Sequence, residues 1–329
     1  MSAAQLIDVL REPQRGETLS TAQWSDLICV ARAERLLATL ALRLKGLAIP
    51  PDVSALLDAA VADAEIGRAQ ALWEAEMARR ALEPLGLPVI LLKGTAFVAA
   101  GLDAGRGRLI GDLDILVPRD RLDEVEAALL AAGWEWVKPD PYDDAYYRRW
   151  MHELPPLIHR DRDRMIDVHH TILPLTARPT PDAEALLADS VALENGLRIL
   201  SPEDMIVHAA AHLLADGDLA GGLRNLCDID RLLREFEGPG FAERLLQQAA
   251  RHTLSPAVER AIRLRHHLFV AHEVLCSSDR LFVARLLARD GWGRPTRPLL
   301  RLAFYLRSHW LRMPPLMLAR HLWTKWRKG

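Results

Sequence analysis

The sequence predicts an α+β protein: a small mixed β-sheet core with its own helices, preceded by N-terminal helices and followed by a C-terminal helical domain. Three features carry this expectation. Apolar residues keep helical spacing through the first ninety residues, the period then changes to short apolar runs between residues 87 and 169, and from Pro181 onward every segment again looks helical. The chain, at 329 residues, exceeds the roughly 100–200 of one typical domain. The expected division is an N-terminal helical region at 1–84, an α/β core at 85–180, and a helical domain with a basic tail at 181–329.

The elements follow from local chemistry. Ser20-Thr-Ala-Gln23 has the form of a capping box ahead of Trp24, Leu27, Ile28 and Ala31, which share one helical face. Pro50-Pro51 breaks that pattern, and Pro51 can serve as the first residue of a long Ala-rich helix reaching about Leu82. Residues 87–92 (LPVILL) read as a buried strand, followed by Lys93-Gly94-Thr95 and a short helix to Ala100. The loop 101–111 carries four glycines with Arg106 and Arg108, and 112–117 (DLDILV) is a second strand stopped by Pro118. An amphipathic helix at 119–132 ends at Gly133. Strands are expected at 134–137, 154–159 and 165–169. Beyond them Ser201-Pro-Glu-Asp204 caps a helix, with Gly217, Gly238 and Pro256 as breaks.

Composition excludes several classes. Half the residues are hydrophobic and 26% are charged, the balance of a globular protein and not of a disordered chain. Cys29, Cys227 and Cys276 are far apart and form no CxxC, which argues against a disulfide framework or a cysteine zinc site and for a reducing, cytoplasmic setting. The first residues lack an apolar stretch of signal-peptide length, and no run reaches the roughly 18 apolar residues of a membrane span. The net charge of −2 is unevenly spread, because residues 291–329 hold nine Lys or Arg and no acid.

The carboxylates hold the most specific chemistry. With 25 Asp in the chain, about two Asp-x-Asp pairs are expected by chance, and four occur, at 112/114, 161/163, 216/218 and 228/230. Residues two apart share a face of a strand but diverge by about 200° around a helix. Asp228 and Asp230 lie in a helical run and cannot share an ion, although Asp228 is the better placed of the two to face a cleft. The pairs 161/163 and 216/218 sit in turn-like segments where solvation explains them.

Asp112 and Asp114 occupy an apolar strand with both carboxylates on one side, where repulsion across about 7 Å costs roughly 2 kcal/mol at an effective dielectric near 20. Arg106, Arg108, Lys93 or a divalent cation could compensate, and relieving the repulsion by substitution should keep stability level or raise it. Asp167, between Ile166 and Val168, adds a third strand-borne acid, alternatively paired with Arg164 or a histidine. Three such acids beside the Gly94–Thr95 turn suit metal-dependent phosphoryl or nucleotidyl transfer.

These residues resemble a known family: the bacterial uncharacterised nucleotidyltransferases of the DNA polymerase beta-like nucleotidyltransferase superfamily. The matching stretches are Val89-Ile-Leu-Leu-Lys-Gly94, Arg108-Leu-Ile-Gly-Asp-Leu-Asp-Ile-Leu-Val117, Ile166-Asp-Val-His169, and Leu200-Ser-Pro-Glu-Asp204 with His208, His212 and Cys227-Asp-Ile-Asp230 downstream. The resemblance implies transfer of a nucleoside monophosphate from a triphosphate, ATP first among candidates, to an acceptor hydroxyl on a peptide, protein or small molecule. It implies that Asp112, Asp114 and Asp167 hold two Mg²⁺ ions, with Mn²⁺ able to substitute, and that Asp167 serves as general base. Lys93, Gly94, Thr95 and Arg108 then lie on the nucleotide side. The superfamily's turn is Gly-Ser or Gly-Gly, whereas this chain has Lys93-Gly94-Thr95, which leaves open a nucleotide-binding or interaction module with weak or no catalysis.

Other features are read more plainly. His208 and His212, four apart on a helix, have metal-pair spacing but no third ligand in sight, which favours a structural or substrate-facing role over zinc. His169 and His170 stand beside Asp167 and could orient it. The glycines at 101–111 precede a strand and so are not a dinucleotide fingerprint. The basic tail, with Trp310, Trp323 and Trp326 among Arg307, Arg312, Arg320, Lys325, Arg327 and Lys328, offers membrane or nucleic-acid contact, but a packed helical pair with solvated cations is the favoured reading.

Overall fold

In the computed structural model, which describes residues 3–138, 140–271 and 274–314, three short helices come first: α1 (Ala3–Arg11), α2 (Thr21–Ala33) and α3 (Leu37–Leu44). Ser20 caps α2 as expected, its hydroxyl accepting from the Gln23 N–H while the Gln23 side chain returns to the Ser20 N–H at 2.9 Å. Helix α4 (Pro51–Leu82) starts at Pro51, where a missing N–H costs nothing, and packs against the sheet and the helices beside it.

The core follows in the order β1 (Ile90–Leu91), α5 (Lys93–Ala99), β2 (Asp112–Leu116), α6 (Leu122–Ala131), β3 (Trp134–Trp136), α7 (Pro141–Trp150), β4 (Leu157–His159) and β5 (Met165–His169). Helix α8 (Ala183–Ala188) then leads to β6 (Val191–Ala192) and β7 (Arg198–Ile199). The seven strands form one mixed sheet in the order β3-β4-β5-β2-β1-β7-β6. Strand β2 runs parallel to β5 and antiparallel to β1, and β1 runs parallel to β7. Its central position explains why β2 reads as a nearly continuous apolar run, with Leu113, Ile115 and Leu116 all buried.

Helical structure then resumes with α9 (Pro202–Ala210), α10 (Gly222–Glu235), α11 (Phe241–Arg251), α12 (Ser255–Arg265), α13 (Ser277–Leu286) and α14 (Pro298–Arg312). Ser201 caps α9 by accepting from the Asp204 N–H. A π-helical turn, Ala211–Asp216, extends α9.

One expectation is corrected and one element was not expected. Segments beyond Pro181 are not all helical, because β6 and β7 form a hairpin through Gly196 (φ +85°) and add to the edge of β1. Two-residue strands are too short to show a period, and pairing with β1 is what makes them strands. Helix α7 had no apolar stripe to announce it; the Asp140 carboxylate accepts from the Tyr142 N–H at 2.8 Å at its start. Pro256 stands at the expected break between α11 and α12, in the first turn of α12 and after a turn in which Thr253 takes φ +55°.

The described part of the basic segment packs against the body. Arg307 donates to the Leu214 carbonyl at 2.8 Å, Arg178 lies over the Trp310 ring at 4.6 Å, and Phe304 is buried. Trp323, Trp326, Arg320, Lys325, Arg327 and Lys328 lie outside the described residues. Among the described residues no helix is long and apolar enough to cross a membrane, and the three cysteines are free thiols.

The loop between α5 and β2 is wedged between α3 and α10. Thr39 donates to the Gly107 carbonyl at 3.4 Å, and Arg224 of α10 donates both to the Thr39 hydroxyl at 3.0 Å and to the Ala104 carbonyl at 3.3 Å. Gly107 has φ +67°, and a Cβ there would meet backbone atoms of Ala38 and Thr39 at 2.9 Å. Gly107→Ala should therefore destabilise the fold by about 2–3 kcal/mol. Gly46→Ala, at φ +86° with nothing within 4 Å, should lose only about 1 kcal/mol from backbone strain. Urea titration of the two variants should return that ranking.

Candidate active site

Alternation along β2 sends Asp112 and Asp114 to one side of the sheet and Leu113 and Ile115 to the other. The parallel register with β5 sets Asp114 opposite Asp167. As a result one oxygen from each of Asp112, Asp114 and Asp167 lies within 4.8 Å of the other two. Asp112 is exposed, Asp167 half-buried, and Asp114 only 3% exposed.

A carboxylate as enclosed as Asp114 needs compensation, which comes from Lys93 and His169. The Lys93 ammonium and His169 Nε2, the latter at 3.0 Å, both meet Oδ1 of Asp114. Burial alone would raise the Asp114 pKa, but Lys93 and His169 outweigh it and hold the group well below the usual carboxylate range. Asp167 goes the other way. Burial, then the neighbouring charges of Asp114 and Glu153, push it up to about 7. Lys93 and His169 both take Oδ1 of Asp114, and the crowding that keeps a proton on Asp167 is the condition a bound cation relieves. The donor set, three carboxylates, suits a hard divalent ion.

Lys93 is the first residue of α5 and takes φ +48°, a left-handed conformation that a lysine adopts at a cost of roughly 1–2 kcal/mol. The turn is fixed by the Leu92 N–H donating to the Asp114 carbonyl at 3.0 Å as well as by the ion pair. Gly94 has a packing reason of its own: Arg108 lies across it, and any Cβ would collide with the Arg108 side chain. Thr95 is buried beneath the turn.

A small cleft of about 50 Å³ opens beside this turn, walled by Lys93, Phe97, Arg108, His208, His212, Asn225 and Asp228 among others. Arg108 faces it but is already partnered: its guanidinium pairs with Asp228 and lies 5.5 Å over the Phe97 ring. Asp228 also takes Arg224 at 2.7 Å. Asp230 points elsewhere, to Arg234 at 3.0 Å and Arg265 at 2.6 Å, as two residues on one helix must. His208 is buried, and burial followed by the charge of Lys93 lowers its pKa well below the ordinary histidine value, so the cleft wall presents a neutral imidazole.

Several sequence expectations are redirected. It is Lys93, not Arg106 or Arg108, that pairs with Asp114, and Arg106 instead stands 3.8 Å from Asp103. Arg164 hydrogen-bonds Gln70 and not Asp167. His169 orients Asp114 instead of Asp167, while His170 turns to the Met151 carbonyl at 3.2 Å. Among the described residues His208 and His212 belong to no group of three metal-ligating side chains. Asp161 and Asp163 are exposed. The sequence reading missed His152 and Glu153, which stand against His169; a polar pair directly ahead of an apolar run was the one signal available.

Three acids thus meet on paired parallel strands, beside a strand-to-helix turn whose Lys93 lines the cleft. The family model that matches this chain, over residues 20–270, is described as an uncharacterised nucleotidyltransferase. The protein belongs to that family. No curated protein matches it. Among solved structures it is similar to the solution structure of the antibiotic-resistance factor ANT(2'')-Ia, at 15% identity over 60% of this chain and 98% of that one, with a TM-score of 0.39.

The raised Asp167 pKa gives a stability test. Its carboxyl is pushed up to about 7 from the ordinary aspartate value of 3.8, so between those values the folded state holds a proton that the unfolded state has released. Stability without metal therefore falls as pH rises through this window. Asp167→Asn should be neutral near pH 4 and stabilising above pH 7. The gain should be on the order of 2 kcal/mol, because solvent screens the half-buried group. Thermal melts with chelator at both pH values would show it.

Proposed function

We propose that this protein is a divalent-metal-dependent nucleotidyltransferase that moves a nucleoside monophosphate from a triphosphate to an acceptor hydroxyl, releasing pyrophosphate. The observation that carries this is the convergence of Asp112, Asp114 and Asp167, with Lys93, the partner of Asp114, lining the cleft. Family membership supports the reaction class.

Asp112, Asp114 and Asp167 would hold the metal. Mg²⁺ or Mn²⁺ bound there supplies Lewis-acid stabilisation of the charge that develops on the transferring phosphate. The protein's own side chains do the rest. Lys93 and His169 hold Asp114 at Oδ1. Asp167 is pushed up to about 7 without an ion; a bound cation would favour its ionised form, which could take the proton from the acceptor hydroxyl at a carboxylate oxygen. Gly94 and Thr95 open the helix on the triphosphate side, and the Arg108–Asp228 pair forms the cleft wall, from which Arg108 can contribute charge to a phosphate.

One observation favours a second reading. Lys93 already neutralises Asp114, as a resident cation would, and a chain in which lysine stands in for metal would bind nucleotide without transferring it. Pyrophosphate release with labelled triphosphates across peptide, protein and small-molecule acceptors separates the two: release in any combination supports transfer, whereas binding without release supports the module.

Variants at the acids should differ. Asp112→Asn should reduce pyrophosphate release by on the order of 100-fold or more, with the melting temperature unchanged, because Asp112 is exposed. Asp114→Asn should abolish activity and also cost on the order of 2 kcal/mol, since it leaves the partly buried Lys93 without its carboxylate. Stability that rises in Asp114→Asn would sink this account of the ion pair and restore simple repulsion between the two acids.

A further inference from the structure

His169 uses one ring nitrogen on Asp114; the other, Nδ1, is enclosed and makes no hydrogen bond. It stands 3.5 Å from Oε2 of Glu153, and Nε2 of His152 stands 3.8 Å from the same oxygen. The two imidazole rings are 5.1 Å apart. The backbone places them: Glu153 bridges to His169, and the His152 carbonyl accepts from the His170 N–H at 2.9 Å, so that residues 152 and 153 lie along the end of β5.

These separations are too long for good hydrogen bonds, which fall at about 2.7–3.2 Å. They match a different geometry. Ligand atoms bound at about 2.0–2.1 Å to one tetrahedral ion sit about 3.3 Å from each other. One ligand atom from each of His152, Glu153 and His169 lies within 4.8 Å of the other two, and His169 is 2% exposed.

We infer that His152, Glu153 and His169 form a second metal site, distinct from the three aspartates, for a divalent transition ion of the Zn²⁺ type. Two imidazoles and a carboxylate suit Zn²⁺ and not Mg²⁺, which prefers oxygen ligands throughout. The site explains the orphaned nitrogen. With Nδ1 on the ion, the ring proton must sit on Nε2 and be donated to Asp114, giving a carboxylate–histidine–metal chain. The ion then acts as a positioning element that fixes Asp114 through His169. This inference does not depend on the reaction proposed above.

The test uses the full chain, stripped with chelator and then dialysed against Zn²⁺. One equivalent should be retained. His152→Ala and Glu153→Gln should each weaken retention by tenfold or more, whereas Asp112→Asn and Asp167→Asn should leave it unchanged. Should the first two variants fail to fold, the wild-type chain with ¹⁵N-labelled histidine decides the matter, because Zn²⁺ should move the His169 Nδ1 resonance and one from His152. Absence of bound Zn²⁺, histidine resonances that stay in place, or retention lost on Asp112→Asn or Asp167→Asn but kept in His152→Ala would overturn the assignment.

Discussion

The ionised carboxylate of Asp114, almost wholly enclosed in the sheet, is the constraint on which the rest of the site depends. A buried charge of this kind is strongly unfavourable unless partners reach it, and they come from two other strands: Lys93 from the turn after β1 and His169 from the end of β5. The three central strands must therefore hold their register for the charges to balance. The left-handed backbone at Lys93 follows from the same demand, because the chain turns into α5 at the residue whose ammonium must reach back to β2. Asp167 is the complement of this arrangement, a carboxylate placed beside Asp114 without an equal share of cations, and so pushed toward the protonated form.

The second wall of the cleft ties distant segments together. Asp228 on α10 holds Arg108 and Arg224, and Arg224 in turn reaches Thr39 and Ala104. The N-terminal helices thus support the loop that carries Arg108, and α9 and α10 line the cleft beside Lys93. Arg108, read from the sequence as a phosphate contact, is first of all a structural cation here, and any share it has in nucleotide binding must compete with Asp228.

Much of the fold was legible because it is written in local chemistry. The capping box at Ser20, the proline that opens α4, the cap at Ser201 and the bounds of β5 are decided within a few residues of chain, and the structure places them where the sequence does. Helix α7 and the hairpin of β6 and β7 were not legible, the first for lack of an apolar face and the second because two-residue strands exist only by pairing with β1.

The sequence by itself determined that Asp112 and Asp114 share one side of a strand while Asp228 and Asp230 diverge around a helix, since residue spacing sets direction within any regular element. Only the tertiary structure decided which charges meet. Lys93 lies 21 residues from Asp114, His169 lies 55 from it, and Arg224 lies 185 from Thr39. Several cations in this chain could have answered the same carboxylate on charge alone. The register of β2 with its antiparallel neighbour β1 and its parallel neighbour β5, and the burial around them, chose among candidates that spacing along the chain could not rank.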